Sequence, residues 1–270
     1  GNMPRYLANG LELYFEDQGD GTPLILLHGF GQHGGSWAPL VPAFARHFRV
    51  VVPDMRGCGR SEGTEPGFTA VDLATDVVAL MDHIGAERAH VAGWSLGGPV
   101  AIELALGHAD RLASLSLHSS FAGGRDRYQA NWVDMRKRII ASGDRELDFN
   151  TAIVGFFTPE FINARPDRIE EFQKILLSNA YPPTDNGMAG QTGAARQFEA
   201  RDRIARIRTP TLITVGSGDR TTLPAQSRLM HKAIEGAEFF LFDGVGHMSH
   251  FQVRDEFISV SQGFMLKHER

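Results

Sequence analysis

The chain has 270 residues, 42% of them hydrophobic and 22% charged, with a formal net charge of −5 and a single cysteine, Cys58. A chain of that size buries about three quarters of its unfolded surface, and its acidic balance withholds the cationic footprint that a phosphate backbone requires, so nucleic acid is not an expected partner. No apolar run approaches the roughly 18 residues of a membrane span or the core of a signal peptide, and one cysteine forbids an internal disulfide; a cytoplasmic monomer or homodimer without membrane contact is expected.

Taken in chain order, residues 24–27 (LILL) form a short apolar run bounded by Gly21-Thr22-Pro23 and His28-Gly29, the pattern of a strand buried on both faces. The same pattern recurs at 49–53, 90–92, 112–117, 211–215 and 238–242. Between these runs, residues 36–47, 69–84, 96–108 and 223–234 carry apolar positions three or four apart, as helices do. The alternation predicts an α/β fold with a mostly parallel, doubly wound sheet, whose sites lie beyond the carboxyl ends of the strands. It breaks after Ser120. From 121 to 208 only helical or loop patterns follow, at 128–141, 147–157 and 166–179 among others. So long a break predicts a helical cap at 121–208, inserted between a first core segment at 1–120 and a second at 209–270.

The pentapeptide Gly93-Trp94-Ser95-Leu96-Gly97 follows the strand pattern at 90–92 and opens a helical one. A strand, tight turn and helix in that order present a serine at the top of the sheet, with glycines where the backbone approaches closely. A serine hydroxyl is a poor nucleophile at neutral pH and needs a base, usually a histidine held by a carboxylate. Of eleven histidines, His247 lies in a glycine-rich loop just after the last strand pattern, at the same edge of the sheet. Asp219, past the strand at 211–215, is the expected acid; Asp54, read as a turn builder, and Asp126, one strand earlier, are its rivals. The order Ser95, Asp219, His247 is nucleophile, acid, base. Backbone N–H groups of Phe30 and Leu96 are the expected oxyanion donors. His247-x-x-His250 lacks a third ligand nearby, so neither a metal nor another cofactor is expected, and His250 is read as a packing or capping residue.

His28-Gly29-Phe30-Gly31, Asp54 to Ser61 (DMRGCGRS), Gly93 to Gly98, Gly216 to Asp219 and Gly244 to His247 resemble, in order and spacing, the α/β-hydrolase superfamily over nearly the whole chain. The segment from Gly187 (GMAGQTGAA), with Asp202 and Pro210-Thr211-Leu212, is similar to 3-oxoadipate enol-lactonases; Gly-Trp-Ser-Leu-Gly-Gly is similar to pimeloyl-carrier-protein methyl ester esterases and some acyl-homoserine lactonases. Cys58 and Gln252-Val253-Arg254 depart from the usual residues. The resemblance implies hydrolysis of a small-molecule carboxylic ester or lactone through an acyl-enzyme, with a perhydrolase, a C–C bond hydrolase and a ligand receptor as alternatives on the same fold. Gly29, Trp94, Trp132 and Phe157 are the candidate pocket residues. The charges are uneven: residues 121–208 hold 14 Lys and Arg against 12 Asp and Glu, the rest 13 against 20. One consequence to test is that an arginine of the cap reaches the pocket and meets a substrate carboxylate.

Overall fold

The computed structural model describes residues 4–123, 126–177 and 180–269. Strands β1 (Arg5–Ala8), β2 (Leu11–Gln18), β3 (Pro23–Leu27) and β4 (Arg49–Pro53) come first, with helix α1 (Val41–Phe44) between the last two. Helix α2 (Ala70–His83), β5 (Ala89–Trp94), α3 (Gly97–Gly107) and β6 (Leu112–His118) continue the alternation. Five helices then intervene: α4 (Arg127–Ala141), α5 (Arg145–Phe156), α6 (Pro159–Ala164), α7 (Pro166–Leu177) and α8 (Asp185–Gln197). The chain returns through β7 (Thr211–Gly216), α9 (Pro224–Ala233), β8 (Glu238–Phe242), α10 (Ser249–Gln252) and α11 (Arg254–Leu266).

The eight strands lie in the order β1-β2-β4-β3-β5-β6-β7-β8, antiparallel at the β1-β2 and β2-β4 pairs and parallel from β4 to β8. Alternate residues of β3 face opposite layers. Ile25 and Leu27 pack with α2 and α3 residues such as Leu73, Val77, Val100 and Leu104, while Leu24 and Leu26 pack with Trp37, Phe44, Phe257 and Phe264. Burial on both faces is why these strands read as unbroken apolar runs.

The structure departs from the sequence expectations in several places. The β1-β2 hairpin was not anticipated, because its half-exposed alternation is short and polar. Residues 36–47 are not one helix; a 3-10 turn at Gly34–Leu40 containing Pro39 precedes the short α1, whose first turn holds Pro42, since each proline removes a backbone donor. Helix α8 runs through a glycine-rich stretch that looks like a loop. Two of its three glycines are imposed by contact: a side chain at Gly190 would run into the Phe68 ring, and one at Gly187 into the Gly57 carbonyl. Residues 178 and 179, the end of the helix expected at 166–179, lie outside the described residues.

Candidate active site

Ser95 sits directly after β5 with φ of 53°. That left-handed conformation is costly for a residue with a side chain and persists only where the surroundings enforce it. Two contacts enforce it here. Ser95 N donates to His118 O of β6 at 3.0 Å, and Gly98 N closes the turn on Ser95 O at 2.9 Å. A Cβ at Gly97 would stand 2.5 Å from Leu27 O, and one at Gly93 would collide with the Gly97 carbonyl, so both glycines anticipated from the motif are required by close approach. Ser120 Oγ donates to Ser95 O at 2.7 Å.

Asp219 and His247 emerge from the loops after β7 and β8. His247 Nδ1 lies 2.8 Å from Asp219 Oδ2, with both side chains buried. The other carboxylate oxygen, Oδ1, accepts from Thr221 N and Thr222 N, each at 2.9 Å. Three donors around one carboxylate fix its plane, and the Oδ2 contact assigns the imidazole proton to Nδ1, leaving Nε2 as an acceptor. The two rival acids are committed elsewhere. Asp54 accepts from Gly34 N and Arg60 N, tying two loops together; Asp126 caps α4 through Tyr128 N and Gln129 N.

The His247 loop is held at several points that the sequence did not advertise. Trp94 Nε1 donates to His247 O at 3.1 Å, and its ring lies 5.4 Å from the imidazole. Gln252, one of the residues departing from the usual pattern, accepts from Gly246 N at 3.0 Å while its Nε2 donates to Thr158 Oγ1 at 3.1 Å. The Phe156 ring packs against both rings, 5.6 Å from the imidazole and 5.9 Å from the Trp94 ring. Gly31 N, in the loop after β3, donates to Gln191 Oε1 of α8 at 3.1 Å. Helix α8 thereby holds the backbone next to Phe30.

Ser95 and His247 open onto one cavity of about 480 Å³, its mouth included, which Phe30, Leu96, Trp94 and Trp132 also line. Among the described residues no hydrogen bond joins Ser95 Oγ to the imidazole, although both line the same cavity. Such looseness is common in unliganded hydrolytic sites. Of the candidate pocket residues, Trp94 and Trp132 are lining residues, and Gly29 lies just behind, where a Cβ would come 3.2 Å from Ser95 Cβ. Phe157 is a correction. It points into the core against Phe161, Phe172 and Phe251, and its neighbour Phe156 lines the cavity. A helix ending at Phe156 and an extended residue at 157 reverse the side chain that helical continuation would have put inward.

One face of α4, at Gln129, Trp132, Val133 and Arg136, supplies the cavity wall opposite the sheet. Arg136 is the arginine that reaches the pocket; it was not singled out in the sequence because three consecutive basic residues, Arg136 to Arg138, look like a solvated face. His250 lies three residues from His247 yet turns away to stack on Trp37 at 4.4 Å. Burial, with His118 and His247 nearby, holds its pKa well below 6.5, and burial alone lowers His118 to about 3. Among the described residues no three His, Cys, Asp or Glu side chains converge as metal ligands, and no helix is long and apolar enough to cross a membrane.

Comparison with known proteins places the chain among relatives of this fold. A protein provisionally named the carbamate hydrolase RutD, from Azorhizobium caulinodans, is 30% identical over 97% of this chain and 98% of its own length. The 3-oxoadipate enol-lactonase 1 of Acinetobacter baylyi is 29% identical over 90% of this chain and 88% of its own. The crystal structure of the enol-lactonase from Burkholderia xenovorans LB400 superposes with a TM-score of 0.87 at 27% identity, covering 97% of this chain and all of that one. With the model of the α/β hydrolase fold matching residues 22–252, the chain belongs to that family.

Proposed function

We propose that the chain is a serine hydrolase that cleaves a carboxylic ester or lactone of a small to medium acyl group through an acyl-enzyme. The observation that carries the reading is the juxtaposition of Ser95 and His247 on one cavity, with Asp219 clamped behind the imidazole. Ser95 Oγ attacks the carbonyl carbon as His247 Nε2 takes the hydroxyl proton; Asp219 stabilises the imidazolium that forms. The N–H groups of Phe30 and Leu96 receive the oxyanion. When the tetrahedral intermediate collapses, His247 returns the proton to the departing alkoxide, and the acyl group stays on Ser95. Water then repeats the sequence and releases the acid. Nucleophile, base and oxyanion donors all come from the chain, so the reaction calls for no metal or cofactor.

In this reading residues 121–208 act as a cap whose α4 wall screens the reaction from bulk water, while 1–120 and 209–270 form the core that carries the reacting groups. A cytoplasmic monomer or homodimer remains the proposed setting. The enol-lactonase relatives support the lactone side of the proposal and the carbamate hydrolase name supports acyl transfer from a related carbonyl. The test is a panel of esters, lactones and thioesters assayed in parallel with the wild type and Ser95→Ala, with and without peroxide. Hydrolysis of at least one ester or lactone that Ser95→Ala abolishes is expected. Activity indifferent to Ser95, or dependent on peroxide, contradicts the proposal.

A further inference from the structure

The cavity wall opposite the sheet is apolar at its centre, where Trp132 and Val133 lie, and polar at each end. Gln129 and Arg136 are seven residues apart on α4, about 10 Å along the helix axis, so they serve different parts of a bound substrate. Arg136 is the unusual one. Only 3% of its surface is exposed, yet it lines the cavity that contains Ser95. A guanidinium this deep needs a countercharge, which the carboxylate of Asp148 on α5 supplies, its main-chain carbonyl adding a neutral acceptor.

The manner of that pairing matters. Nη1 donates to Asp148 O at 3.1 Å and to Thr151 Oγ1 at 2.7 Å, and Nη2 donates once, to Asp148 Oδ1. Five N–H groups are available on an arginine. Both on Nη1 and one on Nη2 are spent, and among the described residues the Nε–H and the second Nη2–H have no partner. An Nε–H and an Nη2–H of one guanidinium can together meet both oxygens of a carboxylate in a planar fork. The anchors on α5 fix the guanidinium plane, so the unspent donors are held in place on the wall of the cavity that contains Ser95.

We propose that the Nε/Nη2 edge of Arg136 binds a carboxylate at the far end of the substrate, making the preferred substrates esters or lactones whose acyl part ends in an acid. The inference rests on Ser95 being the nucleophile of the same cavity. Because Asp148 already neutralises the guanidinium, the bound carboxylate shares the arginine with it, and weakening Asp148 strengthens the subsite.

The experiment compares kcat/KM for monomethyl esters of diacids of four to seven carbons with monomethyl esters of matching chain length that end in a methyl group or a carboxamide, Ser95→Ala serving as the blank. A single chain length of the half-esters is expected to exceed its methyl-ended analogue by about tenfold, with the carboxamide between them. Replacing both members of the pair, Arg136→Met with Asp148→Leu, leaves no unpaired buried charge and is expected to bring the acid-to-methyl ratio to one or below. Asp148→Asn is expected to raise it. Melting temperatures recorded alongside separate lost folding from lost recognition, and Arg136→Lys, which keeps the charge but not the fork, is expected to lower the ratio if the double variant does not fold. A wild-type ratio of one or less, a carboxamide as good as the acid, or a ratio indifferent to Arg136 overturns the subsite. Turnover of the methyl-ended esters that Ser95→Ala abolishes leaves the hydrolase reading standing in each of those cases.

Discussion

Asp219, on the sheet side of the cavity, satisfies both of its carboxylate oxygens with three donors from His247, Thr221 and Thr222; Arg136, on the side of the inserted helices, uses three of its five donors on α5 and leaves two unspent. The first arrangement orients a neighbouring side chain. The second leaves capacity for something that arrives. The contrast separates two demands on a site: reacting groups held rigidly where charge will develop, and recognition groups held rigidly but unsaturated until a ligand completes them.

The steepest way to break the comparison is to attack the sheet side. Ser95→Ala and His247→Ala are each expected to lower kcat by several orders of magnitude, and the double variant to be little worse, because the groups act as a unit. Rates with p-nitrophenyl butyrate check this; losses that multiply contradict it. Asp219→Asn is expected to cost about ten-thousandfold by placing the imidazole proton on the wrong nitrogen, whereas Asp126→Asn, at a residue that caps α4 and accepts from Gln226 Nε2 at 3.4 Å, stays near wild type. A dead Asp126→Asn beside a healthy Asp219→Asn would move the acid to the loop after β6.

These large effects fall on the residues that were legible in the sequence, and there is a physical reason. Strand ends, tight turns and glycines at close approach leave local signatures, so Ser95, Asp219 and His247 could be placed from flanking patterns alone. Phe156 could not be told from Phe157, because which of two adjacent aromatics faces the cavity depends on where α5 ends. Helix α8 was invisible for the opposite reason: Gly187 and Gly190 lower helix propensity, and only packing against Gly57 and Phe68 explains them. Arg136 was hidden among basic neighbours, since charge counts do not reveal which guanidinium faces inward.

Intermediate effects should come from residues that position the reacting groups. Trp94→Phe keeps an aromatic ring but removes the donor to His247 O, and Gln191→Ala removes the acceptor for Gly31 N. Each is expected to reduce kcat by about tenfold, the scale of one hydrogen bond to a preorganised backbone group, with KM changed less than kcat. A loss confined to KM would mean that these side chains only shape the pocket.

The smallest activity effects and the clearest stability effects belong to the buried histidines behind the site. His118 and His250 have folded-state pKa values depressed below 6.5, chiefly by burial. They are neutral in the folded chain and take up protons on unfolding, so stability is fully present above about pH 6.5 and is lost as pH falls towards the folded values. Each withdraws about 1.4 kcal/mol per pH unit in that window. Denaturant unfolding between pH 7 and 4 should show this slope. His250→Phe, which cannot be protonated, should flatten it with little change in kcat. An unchanged slope would remove His250 from the account.

The most direct measurement of the central claim is to trap the covalent intermediate. Incubation with a fluorophosphonate or a slowly deacylating p-nitrophenyl ester, followed by digestion and mass spectrometry, should place one adduct per chain on Ser95, absent in Ser95→Ala and formed far more slowly in His247→Ala and Asp219→Asn. An adduct on another residue, or undiminished ester turnover by Ser95→Ala, would contradict the account.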